Sequence, residues 1–213
     1  MKKNTSRKFT FPTKPHGDER IFKKSNFEIK EGLTALIGCN GAGKSTLLKL
    51  IRDDLREKDI KLFWFDNLID GGMRSVSRAL SNNNTTLAAT LMCSSEGESI
   101  ITNVSYFSST IGGFFHNEST TDEVWILIDA IDSGLSIDNL VNLRDFFQCV
   151  LDDQKDRHIY IVVSTNSYEL TEDANCFDVI SGRYVDIESY DDFKKAIMVS
   201  YEKKKKRYKS NEE

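Results

Sequence analysis

Apolar residues occur in short, dense runs along the chain, and these runs predict β-strands. Leu33–Ile37, Glu123–Ile128 and Ile159–Val163 are apolar at nearly every position. This pattern is typical of strands that are buried on both faces, as in a parallel sheet. Ile60–Phe65 predicts another strand, whereas Ser25–Lys30 alternates polar and apolar residues, as an edge strand does.

Between these runs the apolar residues recur at helical spacing. Leu47, Leu48, Ile51 and Leu55 form one apolar face of a helix that follows the first buried strand. A second long helix is predicted over Ile137–Gln154, preceded by a capping serine. The other predicted helices are Met73–Leu80, Leu87–Met92, Glu98–Phe115 (interrupted by serines and glycines) and Tyr190–Lys206.

The alternation of strands and helices predicts an α/β fold with a mostly parallel sheet flanked by helices. A strand at Phe9–Phe11 and a hairpin of Phe177–Ile180 with Tyr184–Ile187 are expected to add antiparallel edge strands. We expect one domain over residues 1–213, because this length suits a single well-filled core.

Composition and charge narrow the class of protein. No apolar stretch approaches the ~20 residues that cross a bilayer, and no apolar segment follows the N-terminal charges, so we expect a cytoplasmic protein without membrane insertion. The four cysteines lack metal-site spacing, which favours reduced structural thiols. The net charge is -4, yet basic residues gather in two predicted tails, 1–8 and 203–213. Such tails suit an anionic partner, and solvated chain ends explain them equally well.

One glycine-rich segment carries a specific chemical signal. Gly38–Ser45 reads Gly-Cys-Asn-Gly-Ala-Gly-Lys-Ser and matches the P-loop pattern G-x-x-x-x-G-K-[ST], between a strand and a helix. Its glycines allow backbone N–H groups to face phosphates, Lys44 reaches the β- and γ-phosphates, and Ser45 ligates Mg²⁺. We therefore predict ATP and Mg²⁺ as cofactors of a P-loop NTPase. The predicted nucleotide-binding residues are Gly38, Cys39, Asn40, Gly41, Ala42, Gly43, Lys44, Ser45 and Thr46.

A second motif ends the strand Glu123–Ile128. Trp125-Ile-Leu-Ile-Asp129 is an apolar strand that ends in a carboxylate, as in a Walker B motif, whose aspartate holds Mg²⁺ through the ion's surrounding shell. Asn67, after the strand Ile60–Phe65, offers an amide to a metal or to water, although an ordinary loop asparagine is an equal interpretation. The predicted metal site therefore consists of Ser45, Asp129 and Asn67.

These motifs, in this order, resemble the ATP-binding-cassette (ABC) superfamily, and within it the soluble SMC/RecF-like and OLD-like ATPases. Ser133-Gly134-Leu135 matches the D-loop that follows the Walker B strand in that family. Ser95, Gly97 and Glu98 match its signature motif, which contacts the γ-phosphate bound by the other subunit. Asn166 stands where the family has its switch histidine, and Asn67 stands near the Q-loop position.

The sequence departs from that family at Ala130, where ABC-type ATPases usually carry a glutamate that polarises the attacking water. Three explanations remain open. The alanine is a substitution introduced to trap ATP, or another carboxylate such as Asp132 takes the role, or the protein hydrolyses ATP very slowly. The candidate catalytic residues are Lys44, Asp129, Asp132 and Asn166.

The resemblance implies an ATP-dependent homodimer that acts as a switch on DNA or on a nuclease-like protein, as in DNA repair or phage defence. The spacings from Lys44 to Ser95 and from Ser95 to Asp129 leave no room for a coiled-coil arm, and the stretch Ile111–Thr121 reads as a loop. The alternatives are the nucleotide-binding subunit of a membrane transporter and an ATP sensor without turnover. Phe11 and Phe22 are candidates for stacking on adenine, although each suits a core equally.

Overall fold

A computed structural model describes residues 5–15, 17, 20–67, 79–81, 84–93, 96–118 and 121–209. The strands are β1 Ser6–Thr10, β2 Asn26–Lys30, β3 Gly32–Ile37, β4 Leu62–Asp66, β5 Glu123–Asp129, β6 His158–Ser164, β7 Asn175–Asp178 and β8 Arg183–Tyr184. The helices are α1 Lys44–Glu57, α2 Thr85–Cys93, α3 Glu96–Asn117, α4 Ile137–Asp153 and α5 Tyr190–Lys209, with a short 3₁₀ turn at Tyr168–Leu170. Most of the predicted helix Met73–Leu80 lies outside the described residues.

The main sheet has six strands in the order β4-β5-β6-β3-β7-β8. All neighbouring pairs are parallel except β7 and β8, which are antiparallel. The predicted α/β fold with a mostly parallel sheet is therefore confirmed. The N-terminal strands differ from prediction, because β1 and β2 pair with each other as a separate antiparallel sheet and do not extend the edge of the main sheet.

The strand β5 shows why the central strands are apolar throughout. Trp125 and Leu127 belong to a core shared with helix α1 and the β1–β2 sheet. Ile126 and Ile128 point to the opposite face and belong to a core shared with helices α3, α4 and α5. Because successive side chains of a strand alternate between faces, a strand covered on both sides needs apolar residues at every position.

Helix α3 is longer than the sequence pattern indicates. It is continuous from Glu96 to Asn117, so the loop expected over Ile111–Thr121 is helical up to residue 117. Its polar side chains turn back onto the helix: the hydroxyls of Ser109 and Thr110 donate to the carbonyls four residues earlier, both at 2.9 Å. Such local bonds allow serine and threonine inside a helix, although these residues usually mark turns.

Two further findings concern the chain ends and the membrane. The C-terminal lysines 203–206 belong to helix α5 and do not form an extended tail. In the described part of the chain, no helix is both long and apolar enough to span a bilayer.

Candidate nucleotide-binding site

The P-loop lies at the centre of the sheet, where β3 ends between its neighbours β6 and β7. Three glycines have positive φ angles, 143° at Gly38, 73° at Gly41 and 98° at Gly43. At Gly43, which precedes helix α1, an added Cβ would also lie 2.6 Å from the Cγ2 atom of Ile21. Only glycine suits this backbone conformation without strain, and it leaves the N-terminus of α1 open towards the loop.

Helix α5 packs against the outer side of this loop. The backbone N–H of Cys39 donates to the Ser200 hydroxyl at 3.1 Å, and Ser200 is fully buried. The ammonium of Lys204 donates to the carbonyl oxygen of Asn40 at 2.8 Å. These contacts join positions more than 160 residues apart in sequence. Helix α5 therefore supports the start of the P-loop.

Lys44 is held inside the loop by two acceptors. Its Nζ atom donates to the Gly38 carbonyl at 2.6 Å and to Asn166 Oδ1 at 2.7 Å. Burial lowers the pKa of Lys44, and the nearby carboxylates of Asp132 and Asp129 offset part of that effect. A triphosphate would give this ammonium stronger, anionic acceptors than a carbonyl and an amide.

Asp129, at the end of β5, is the centre of a hydrogen-bond network. The hydroxyls of Ser45 and Ser164 both donate to its Oδ1 atom, the first at 2.9 Å. Asp129 is 2% exposed, and Ser164 also accepts the backbone N–H of Ala130 at 2.8 Å. Because the carboxyl ends of parallel strands lie at one edge of the sheet, β5 and β6 bring these groups beside the P-loop.

The donor atoms around Ser45 fit Mg²⁺. A serine hydroxyl and a carboxylate are hard oxygen ligands, and Mg²⁺ commonly takes one or two of these with phosphate oxygens and water. Among the described residues, no group of three or more His, Cys, Asp and Glu gathers into a metal cluster. Ser45 would hold such an ion directly, and Asp129 would orient it.

Asn67 lies beside this network, at the end of β4. Its Nδ2 atom donates to the carbonyl oxygens of Ala130 at 3.0 Å and Ser133 at 2.6 Å. Its Oδ1 atom is buried and has no hydrogen-bond partner within the described residues. The neighbouring Asp66, which the sequence analysis did not select, is 3% exposed and pairs in register with Asp129. This edge of the sheet therefore holds two buried carboxylates and one buried amide oxygen without a hydrogen-bond partner among the described residues.

Ala130 has an uncommon backbone conformation for an alanine, with φ at 53°. Its carbonyl accepts the N–H of Ser133 at 3.1 Å, which closes a turn directly after β5. Asp132, within that turn, accepts the backbone N–H of Asn166 at 2.8 Å through Oδ2. Asp132 and Ala130 therefore line the same cavity. The methyl group of Ala130 cannot act as a base, whereas Asp132 has a carboxylate.

The cavity above the P-loop has a volume of about 350 Å³. It collects most of the residues that the motifs predict, together with Ile21 and Ser164, which sequence reasoning missed. The lining residues are Ile21, Asn40, Gly41, Ala42, Gly43, Lys44, Ser45, Thr46, Ala130, Asp132, Ser164 and Asn166. Ser164 was recognisable as the end of the strand before Asn166, whereas nothing in the sequence pattern marks Ile21.

The predicted signature motif lies elsewhere. Ser95 is outside the described residues, while Gly97 and Glu98 open helix α3 and do not line the P-loop cavity. A Cβ atom at Gly97 would lie 3.6 Å from the carbonyl oxygen of Gly134, so the motif-like segment packs beside the turn that follows β5. Phe11 and Phe22, the candidate adenine-stacking residues, are 7% and 1% exposed and belong to the core.

Comparison with known proteins gives partial matches around the P-loop. Residues 22–80 match the sequence model of the family described as "ABC transporter". A stretch of 51 residues is 43% identical to a putative HMP/thiamine import ATP-binding protein of Bacillus subtilis, covering 24% of this chain and 9% of that protein. A stretch of 53 residues is 47% identical to a ribosome protection protein of the same organism, covering 21% of this chain and 10% of that protein.

These matches support the broad assignment and leave the narrower one unsupported. The relatives belong to different kinds of protein, and this chain covers about a tenth of each. The resemblance to the SMC/RecF-like and OLD-like branch finds no support among them. The match over residues 22–80, together with a P-loop at the centre of a mostly parallel sheet, makes this part of the chain similar to ATP-binding domains of the ABC type.

Proposed function

We propose that this chain is an ATP-gated switch in which two copies close around two molecules of ATP. The observation that supports the proposal is the division of the predicted ATP-binding residues between two places. Lys44 is the one cation among the described residues that line the P-loop cavity. Gly97 and Glu98, at the start of α3, are not among the residues that line that cavity, and Gly97 lies beside Gly134. A second copy would bring its own start of α3 to the open side of the P-loop.

In the proposed cycle, ATP stabilises the closed dimer because its γ-phosphate is contacted from both subunits only when they meet. The P-loop and Lys44 bind the phosphates, and Ser45 with Asp129 holds Mg²⁺, which would neutralise charge on the β- and γ-phosphates. Asn67 would contribute its Oδ1 atom, which has no hydrogen-bond partner among the described residues, to the ion or to a water. Asp132 is the remaining candidate base, and turnover is slow because Ala130 cannot polarise water.

The test is the molar mass in solution, by light scattering, with and without ATP and Mg²⁺. The 24.3 kDa chain is expected to double its mass at saturating ATP and to return to a monomer when ATP is removed. The matched control is Lys44→Ala, which should stay monomeric because it loses the contact to the phosphates. A wild-type chain that remains a monomer at saturating ATP would refute the switch.

Phosphate release separates a slow ATPase from an ATP sensor. Wild type should release phosphate slowly, and Ala130→Glu should release it at least tenfold faster if a general base is the missing element, since such a base contributes about 10²–10⁴-fold. Asp132→Asn should abolish the residual turnover of wild type. If wild type and Ala130→Glu are both inactive while ATP still drives dimerisation, the protein is a sensor without turnover.

The partner of the switch is part of the proposal. The family resemblance suggests DNA or a nuclease-like protein, and the basic helix α5 supplies positive charge for an anionic partner. The nucleotide-binding subunit of a transporter is the second candidate, and it is favoured by the family match over residues 22–80. Purification of the tagged chain from membranes and from cytosol distinguishes them: a stably bound membrane subunit supports the transporter, and bound DNA or nuclease supports the switch.

A further inference from the structure

A second cavity, of about 500 Å³, lies behind the P-loop, between the segment before β2, the β7–β8 turn and helix α5. None of its lining residues lines the nucleotide cavity. The lining residues are Arg20, Phe22, Lys23, Ile180, Ser181, Arg183, Lys203 and Lys206. Phe22 and Ile180 form its apolar floor and also pack near the P-loop: Ile180 belongs to the cluster of Cys39 and Ala42.

The charge of this basic cavity is opposite to that of the whole chain. Of the eight described residues that line it, five are cationic and none is acidic, in a protein of net charge -4. Within the described residues, Lys203 pairs with Asp178 at 3.4 Å, while Lys23, Arg183 and Lys206 form no ion pair. Like charges that converge on one concave site repel each other and create a positive potential. A bound anion would relieve that repulsion.

We propose that the basic cavity binds the phosphates of a nucleotide-sized ligand, either a free nucleotide or one unit of a nucleic-acid strand. Its volume is in the range of small-molecule sites, which is far larger than a single phosphate ion needs. The cationic rim would contact the phosphates, and the remaining volume would hold the base or sugar. Several cations around one cavity suit closely spaced phosphates better than the single carboxylate of an acidic side chain.

This inference does not rest on ATP-driven dimerisation, because the basic cavity is complete in one chain. Arg20 illustrates how it is built: its guanidinium donates to the carbonyls of Phe22 at 3.1 Å and Lys23 at 2.8 Å. These bonds fix the segment before β2 and place Lys23 at the rim. Arg183 is the first residue of β8, and Lys203 and Lys206 belong to α5, so three separate segments converge on the site.

The test is fluorescence anisotropy with a labelled single-stranded oligonucleotide of about 12 nucleotides. The pocket variant carries Lys23→Gln, Arg183→Gln and Lys206→Gln. The control variant carries the same change of charge at three exposed lysines that do not line the cavity, Lys49→Gln, Lys155→Gln and Lys195→Gln. The pocket variant should bind about 100-fold more weakly at ~0.1 M salt. For a single strand, each phosphate contact contributes about 0.7 to the slope of log affinity against log salt, so the loss of three contacts lowers log affinity by about 2 at this salt concentration.

The control variant should bind within a few-fold of wild type. Equal affinity of the pocket and control variants, or no binding by wild type at low salt, would overturn the proposal. Competition experiments identify the source of the phosphates. In these experiments the P-loop is first filled with a non-hydrolysable ATP analogue, and unlabelled competitors then displace the labelled strand from the basic cavity. Displacement by a free nucleoside bisphosphate indicates a free nucleotide, and displacement by unlabelled strand alone indicates nucleic acid. Equal displacement by polyglutamate at matched charge would refute the assignment to phosphate.

Discussion

Replacing Ser200 by alanine removes the hydroxyl that supports the start of the P-loop. In wild type this hydroxyl accepts the N–H of Cys39 at 3.1 Å, and Ser200 is 0% exposed, so no water can take its place. A buried donor that loses its partner costs about 1–3 kcal/mol. The free energy of unfolding should therefore fall by about 2 kcal/mol, and the Tm by about 4–8 °C for a chain of this size.

Urea denaturation and thermal unfolding measure this loss. The matched control is Ser109→Ala, whose hydroxyl is exposed and donates only within its own helix. This variant should stay within about 0.5 kcal/mol of wild type. ATP affinity should fall in the Ser200 variant as well, because the P-loop backbone loses support. If both variants have the same stability, helix α5 does not hold the loop in the manner described.

Three further outcomes are expected. Asp129→Asn should weaken ATP binding about 10–100-fold with Mg²⁺ present but hardly without it, in titrations with a fluorescent ATP analogue, because the proposed role of Asp129 is to orient the metal. Cys149 is exposed, whereas burial raises the pKa of Cys176 to about 11. That rise lowers the thiolate fraction about 100-fold, so Cys176→Ser should leave rapid thiol labelling unchanged and Cys149→Ser should reduce it. Burial lowers the pKa of Lys44 from 10.5, so the unfolded chain binds more protons than the folded chain below that pH. The unfolding free energy of wild type relative to Lys44→Met, from urea titrations, should therefore rise as the pH approaches 10.5.

The strands and the P-loop were predictable because their signals are local. A strand covered on both faces must be apolar at successive positions, as in Ile159–Val163, and this pattern is visible without knowing its neighbours. The signal of the P-loop at Gly38–Ser45 is also local, because its glycines adopt positive φ angles that other residues rarely adopt. The pairing of β1 with β2 was harder to predict from the sequence. Edge strands have a weak hydrophobic pattern, and tertiary packing determines which strand they pair with.

The predicted helix Glu98–Phe115 lies within α3, and only the loop expected from Ile111 onwards was wrong, because serine, threonine and glycine favour turns in general although neighbouring carbonyls can satisfy the hydroxyls inside a helix. The burial of Phe11 and Phe22 was likewise undecided until the core was assembled, since an aromatic side chain suits a ligand surface and a core equally. Both questions depend on what surrounds the residue, which a linear pattern does not record.

By itself, the sequence determined the α/β alternation, the P-loop and the aspartate at the end of β5, because backbone sterics and strand burial act through neighbouring residues. Only the tertiary structure decided that Ser200 and Lys204 support Cys39 and Asn40. It also decided that cations from three segments meet in one basic cavity. Contacts of this kind join residues that are distant in the chain, and their geometry exists only after the helices have packed onto the sheet.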